Sequence, residues 1–252
     1  MKAALLAGVA FGVLALGTLA ASPAAAIDMA PPPPVYPAYP AYRAEPIVVY
    51  GWSGFYLGIE GGGGVGSATQ TDASPFTSGP YTVSGGLVGG TIGYNWQFDR
   101  WVYGLEGDWS GAWISGTTPG TDPISGNCNG LPPQCQANLE SLGTIRGRIG
   151  FAFERFLPYA TFGFAIGTLH GSEGDVLANG GAGSGTTTVG GFTVGAGVEV
   201  KFTPNWSGKV EYLHVDLGNH AIFNEFFPGN QVLPESISFT TEIVRAGVNY
   251  RF

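Results

Sequence analysis

The stretch Val244-Arg-Ala-Gly-Val-Asn-Tyr-Arg-Phe252 decides the fold. Val244, Ala246, Val248, Tyr250 and Phe252 share one face of an extended segment, and Arg245, Gly247, Asn249 and Arg251 share the other. Side chains alternate with a period of two only in a strand. An apolar face that ends in aromatics, backed by a face that carries two arginines, suits a strand crossing a bilayer. Its apolar side meets lipid, its polar side meets a lumen, and its aromatics lie at the headgroup level.

Working back from that stretch, the same alternation predicts eight strands. The first runs from Gly54 to about Gly64, with Phe55, Leu57 and Ile59 outward and Tyr56 and Glu60 inward. The second, Val83 to Trp96, turns Val88, Ile92, Tyr94 and Trp96 outward, and the third, Trp101 to Trp113, does the same with Trp101, Tyr103, Leu105 and Trp109. The fourth spans about Asn138 to Ala152, the fifth Leu157 to Thr168, the sixth Thr188 to Phe202 and the seventh Trp206 to Val215. The eighth ends at Phe252. Short turns at Gln97 to Arg100, Phe153 to Phe156 and Thr203 to Asn205 alternate with long connections, as in outer-membrane barrels. The expected fold is all-β: an eight-stranded antiparallel transmembrane barrel in an up-and-down meander.

Composition agrees. Charged residues are 11% of the chain, against about 25% in soluble domains, and Gly is 43 of 252, more than double its usual share of ~7%. Glycine in a narrow barrel permits strand bending and leaves room for large lumen side chains. The net charge of -8 excludes nucleic acid as a natural partner.

The opposite terminus reads as an export signal. Lys2 precedes an almost wholly apolar run, Ala3 to Leu19, and Ser22-Pro-Ala-Ala-Ala26 carries an Ala-x-Ala site, so residues 1–26 are a signal peptide cleaved after Ala26. No second long apolar run exists, which leaves strands to cross the membrane, and a closed barrel is the strand architecture a bilayer accepts. Residues 27–50 contain Pro31 to Pro34, Pro37, Pro40 and Pro46 interleaved with Tyr36, Tyr39 and Tyr42, an extended periplasmic leader. It is read as a spacer, with contact to peptidoglycan or a periplasmic partner as the sharper alternative. The barrel domain is then 51–252.

Trp52-Ser-Gly-Phe-Tyr-Leu-Gly58, Gly93-Tyr-Asn-Trp-Gln97, Thr144-Ile-Arg-Gly-Arg-Ile-Gly150, Gly191-Phe-Thr-Val-Gly-Ala-Gly-Val-Glu199 and Val210-Glu-Tyr-Leu213 resemble the outer-membrane immunogenic proteins of alphaproteobacteria, small barrels of the opacity-protein type. The resemblance extends from Pro31 onward. It implies a major surface barrel and surface antigen of the Gram-negative outer membrane, with structural, immunogenic, porin-like or haem-related roles and no shared catalytic residues. Phe192 stands where that family commonly has Trp.

Charges within the spans fall on inward positions, as the cost of charge in lipid requires. Glu60, Glu106, Asp108, Glu199 and Glu211 are matched by Arg146, Arg148, Lys201, Lys209 and Arg245. They are read as a structural ion-pair network filling an eight-stranded lumen, which is only wide enough for side chains; a charged constriction in an ion pathway is the alternative. The external connections, about Ser67 to Pro80, Ile114 to Ala137, Leu169 to Thr187 and Leu217 to Ile237, contain no Lys or Arg but hold Asp72, Asp122, Glu173, Asp175, Glu225 and Glu235. Contact with lipopolysaccharide phosphates would need bridging divalent cations or would be confined to the wall. Cys128 and Cys135, the only cysteines, are read as a loop disulfide lying outside the wall, since two close cysteines in an exported chain pair readily.

His170, His214 and His220 fall near the external rim. A set such as Ser172, His214 and Asp216 can be assembled on paper, but without a distinctive motif it reads as coincidence. His170 and His220 are the residues a haem-binding reading would use. The expectation is a non-enzymatic barrel with no cofactor and no metal, supporting envelope integrity and surface presentation. A porin-like small-solute or ion channel and a surface binding module for haem or a host or envelope ligand are the alternatives. Its partners are outer-membrane lipids and lipopolysaccharide, and the barrel-assembly machinery. Tyr250 and Phe252 form the assembly signal, because a terminal aromatic on a lipid-facing strand is typical of bacterial outer-membrane barrels.

Overall fold

The computed structural model describes residues 51–71, 78–118, 135–173, 183–227 and 231–252, with side chains described at all of these except 173, 183, 223–227 and 231–235. The expected signal peptide, the leader, Cys128, Asp72, Asp122 and Asp175 lie outside the described residues.

Eight strands form a closed antiparallel barrel: β1 (Gly54–Thr71), β2 (Tyr81–Phe98), β3 (Trp101–Thr118), β4 (Cys135–Phe151), β5 (Phe156–Glu173), β6 (Gly183–Lys201), β7 (Trp206–Phe227) and β8 (Gln231–Arg251). Each pairs with its sequence neighbours, and β1 closes on β8 with Tyr56 opposite Arg251 and Thr71 opposite Ser236. Among the described residues, no helix is long and apolar enough to cross a membrane. The β2–β3 turn is only Asp99 and Arg100, with Asp99 at a φ of 54°, a left-handed conformation that Asp tolerates better than most side chains.

The strands exceed their expected lengths, chiefly at the end bearing the long connections; at the other end β2 also takes in Gln97 and Phe98, and β5 takes in Phe156, all expected in turns. A transmembrane strand needs about 9–11 residues, and these have 17 to 22. The wall therefore projects well beyond the bilayer. Its alternation inverts where it does so. Val244, Ala246, Val248 and Tyr250 are exposed, whereas beyond them Ile243, Phe239 and Ile237 are buried. Ser238 and Thr240 take the outward positions there. Tyr212 outward and Leu213, Val215 and Leu217 inward mark the same crossover on β7. Below it the wall faces hydrocarbon and its outside must be apolar; above it the wall faces water and must be apolar inside.

The polar end of this wall was expected to be loop. Cys135 in particular is the first residue of β4, buried, paired with Thr118 and Glu173, so it belongs to the wall and not outside it. Ladder hydrogen bonding continues into the projecting part because the inner face there packs a core of its own.

Rings of aromatics mark the short-turn end. Phe252 packs on Phe55 with centroids 5.7 Å apart, Trp206 on Tyr250 at 5.0 Å, and Trp101 on Phe151 at 5.3 Å. Such girdles sit at membrane interfaces, where an amphipathic ring meets headgroups.

Candidate functional site

The lumen is filled in three layers. At the short-turn mouth Trp52 is fully buried against Val102 and Leu157, with Ala152 packed beside them. Its backbone N–H donates to Gln97 Oε1 at 2.6 Å. The Arg251 guanidinium donates to the Trp52 carbonyl, and the Lys201 ammonium donates to the Gly51 carbonyl and, at 3.2 Å, to that of Pro204. Both cations also lie over the indole ring, 5.5 and 5.0 Å from its centroid. The segment that enters the barrel is thereby pinned across its mouth.

Above it lies the ionic layer. Glu106 on β3 faces Arg146 on β4 across one rung of the ladder, at 2.5 Å. Arg146 also reaches Asp108 and Glu211, both at 2.9 Å. Arg148 bridges Glu199 at 2.8 Å and Glu106 at 3.6 Å, and Lys209 bridges Glu60 at 2.9 Å and Glu106 at 3.2 Å. Arg245 binds Glu60, Asp108 at 3.0 Å and Glu211 at 2.7 Å. Hydroxyls complete the web: Tyr56 donates to Glu106 at 2.8 Å, Thr144 to Asp108 at 2.5 Å and Ser207 to Glu199 at 2.6 Å. The Arg148 guanidinium also stacks 4.0 Å from the Tyr159 centroid. Glycines make space for these side chains. A Cβ at Gly197 would come within 2.7 Å of the Tyr159 hydroxyl, and one at Gly93 would collide with that of Tyr56.

One inward step higher, charge disappears. Leu87, Ile114, Leu139, Leu142, Leu213 and Ile243 begin an apolar core that continues through Leu169, Leu217, Phe239 and Ile237 into the projecting wall. It is built like the core of a soluble protein. Its register is direct: Leu213 pairs with Ile243 two residues above the pairing of Glu211 with Arg245.

The charges proposed from sequence are distributed differently in one respect. Lys201 makes no ion pair among the described residues and belongs to the mouth layer. Its desolvated ammonium is satisfied by carbonyls, because no carboxylate shares its rung: Lys201 pairs with Ser207. Arg251, left out of that set, is buried and approaches Glu199 at 3.6 Å. Its inward parity in the final strand was the available signal. With Arg251 the inward charges are six cations against five anions, not five of each. Tyr250 and Phe252 stand in the aromatic girdle, edge to face at 5.2 Å.

The histidines are not brought together. His170 Nδ1 lies 2.8 Å from Thr186 Oγ1, and His220 Nε2 lies 3.0 Å from the Gly190 carbonyl. Those β6 positions are four residues apart, about 13 Å along a strand, so the two imidazoles hydrogen-bond at separate places on the wall. Ser172 does not approach His214 either. His214 pairs with Val194 and Val194 with Phe162, ten residues down β5 from Ser172. Asp216 Oδ1 accepts from the Gly218 N–H at 2.8 Å. The carboxylate beside His214 is Glu242, 2.7 Å away, on the outer face of the wall. Sequence reading gave this pair no weight. Among the described residues no cluster of His, Cys, Asp and Glu could hold a metal ion.

Comparison with known proteins bears on this architecture. The family model described as an outer membrane protein beta-barrel domain matches residues 11–252. The chain is 34% identical over 224 residues to the 31 kDa outer-membrane immunogenic protein of Brucella melitensis, covering 83% of this chain and 87% of that one. It is 36% identical over 166 residues to the 22 kDa outer membrane protein of Rhizobium leguminosarum bv. viciae, covering 66% and 64% respectively. Among solved structures, the outer membrane protease OmpT of Escherichia coli superposes with a TM-score of 0.51 at 11% identity, over 79% of this chain and 97% of that one, a likeness of fold.

Proposed function

We propose a structural role from one premise: the chain belongs to the outer membrane protein β-barrel domain family and resides in the outer membrane of a Gram-negative envelope. In this reading the barrel is a sealed, non-enzymatic wall element that supports envelope integrity and presents its projecting rim at the cell surface. The layered lumen carries the reading. An ion entering from outside would have to cross the apolar core from Phe239 to Leu213 before meeting the charges of the ionic layer. Apolar constrictions of this kind block conduction by excluding water. An ion entering from the periplasm would first meet Trp52.

The rim supports the second half of the reading. Long strands hold the external connections clear of the bilayer, which suits surface presentation, and several relatives are named as immunogenic outer-membrane proteins. Planar-bilayer recording of the purified barrel tests the seal: the expected result is no single-channel current, and robust currents overturn the reading in favour of a channel. A deletion strain tests the physiology. Increased sensitivity to detergents is expected, and failure confined to uptake of one small solute would point to transport.

A further inference from the structure

The projecting wall is not closed all the way round. β5 and β6 stay paired up to Glu173 and Gly183, and β7 and β8 up to Phe227 and Gln231, but the β6–β7 ladder ends at Phe192 and Asp216. Above that rung, Gly183 to Gly191 of β6 and Leu217 to Phe227 of β7 share no ladder among the described residues. The cause lies in β7. Between Asp216 and Asn219 it takes three steps against two on β8, from Thr240 to Ser238. In this bulge Gly218 has a φ of 68° and its N–H donates to Asp216 Oδ1 at 2.8 Å. A bulge bends its strand, and this one carries the upper arm of β7 off β6.

The seam left between them has a defined chemistry. At the foot of β6 the Phe202 N–H donates to Trp206 of β7 at 2.9 Å, and the Lys201 N–H donates to Arg155, beside β5, at 2.9 Å. Backbone groups alternate sides along a strand, and the β5–β6 register has no shift, so the even-numbered residues of β6 face β7 throughout. Gly190 agrees: its carbonyl accepts from His220 Nε2, 3.0 Å away across the seam. Beyond it Thr188, Thr186 and Ser184 present N–H and C=O groups with no strand partner on that side among the described residues, and all three are exposed. On the opposite bank Asn219 and Ala221 are exposed as well. The base of the seam is tight. Val189 and Leu217 are buried there, and a Cβ at Gly167 on β5 would come within 2.7 Å of Leu217 Cδ1. The seam is open to the outside and closed to the lumen.

A closed barrel has no strand edges, and here the rim has regained two. An open row of backbone donors and acceptors selects its occupant, because another extended backbone is what matches its repeat. A second copy in the same membrane does not fit. Strands of such barrels tilt by about 35–45°, so the facing walls of two upright barrels cross at about twice that angle and no ladder forms. The occupant arrives as a free strand. Charge narrows it further: Asp216 stands at the base of the seam, Glu173 and Glu225 belong to the strands beside it, and the external part of the chain carries no Lys or Arg. We infer that the β6–β7 seam is a strand-addition site, which takes an extended cationic segment of a soluble polypeptide and pairs its backbone along Ser184, Thr186 and Thr188.

The test is fluorescence anisotropy of a short labelled peptide alternating Lys and Val, titrated with the folded full-length barrel in detergent. Thr188→Pro deletes one seam-facing N–H and leaves the β5 ladder intact, the kind of edge position where Pro is tolerated. Thr188→Ala keeps that N–H and removes only the side chain. Both variants should keep the fast unboiled gel mobility of a closed barrel. Wild type and Thr188→Ala should bind alike, and Thr188→Pro should bind about fivefold or more weakly, roughly the ratio one net hydrogen bond gives. A peptide alternating Glu and Val should bind less well than the Lys peptide. Independently of any variant, isotope-labelled carbonyls of the bound Lys peptide should absorb in the infrared as a paired strand. No binding by the wild type, equal binding by folded Thr188→Pro, an equal loss in Thr188→Ala, no preference for the Lys peptide, or a disordered infrared signature overturns the site.

Discussion

Glu106 and Arg146 face each other across neighbouring strands at 2.5 Å, and neither side chain reaches solvent. Removing the guanidinium leaves Glu106, Asp108 and Glu211 each short of a partner in a space with little water. Breaking a buried pair in this way costs about 3–5 kcal/mol. Arg146→Ala should therefore lower the temperature at which unboiled barrel converts to the slow-migrating form in a detergent gel. A shift within error of the wild type would mean that the lumen is hydrated and the pairs are screened.

The lumen has two seals in series, which makes a single breach insufficient. Trp52→Ala should open the periplasmic mouth, increasing hydrogen exchange at the indole-packed backbone of Val102 and Leu157, while bilayer conductance stays absent because the apolar core remains. Currents appearing in Trp52→Ala alone would show that the upper core does not close the barrel.

Deletion of Phe252 removes a ring that packs on both Phe55 and Tyr250, and with it the terminal aromatic proposed to be recognised during insertion. Periplasmic, protease-sensitive protein is the expected outcome in cells. A girdle residue with no recognition role would leave surface levels unchanged and produce only a small drop in stability.

The thiols offer a separate check. Mature protein should label at neither Cys128 nor Cys135 until reduced, and the bridge should contribute about 2–3 kcal/mol in the chain-entropy model. Since Cys135 begins β4, its replacement touches one end of the ladder only, and the double Ser variant should still insert. Full labelling of unreduced folded protein would exclude the bridge.

What could be read from the sequence ended where the solvent changed. Alternation from Val244 to Phe252 places each side chain on the face it occupies, because lipid outside and lumen inside impose opposite polarity on one strand. Past Val244 the rule reverses. Ile243 and Val244 are adjacent apolar residues, one buried and one exposed, and that doublet is the trace of the crossover. Without knowing where the bilayer stops, the start of the eighth strand cannot be read, and the connection before it is carried as far as Ile237, a residue that β8 includes. Pairing was a different difficulty. Parity puts Glu60, Arg245 and Lys209 inside, but which cation meets which anion depends on strand stagger, and that is set by closure. Glu242 as the partner of His214 escaped notice because a polar residue on the outside looks like the start of a loop until β8 is seen to continue past it.

The ionic layer has a consequence for how the chain finds its register. Sliding one strand by two residues keeps every apolar side chain facing lipid, so burial alone does not penalise the error. The charges do. Asp108 meets Arg245 from 137 residues away, and Arg148 meets Glu199 from 51, contacts that exist only when the first and last strands have zipped at the correct stagger. A slipped barrel would trap like charges side by side in a closed tube. Its interior thus works as a checksum on assembly, satisfied by one alignment and violated by its neighbours.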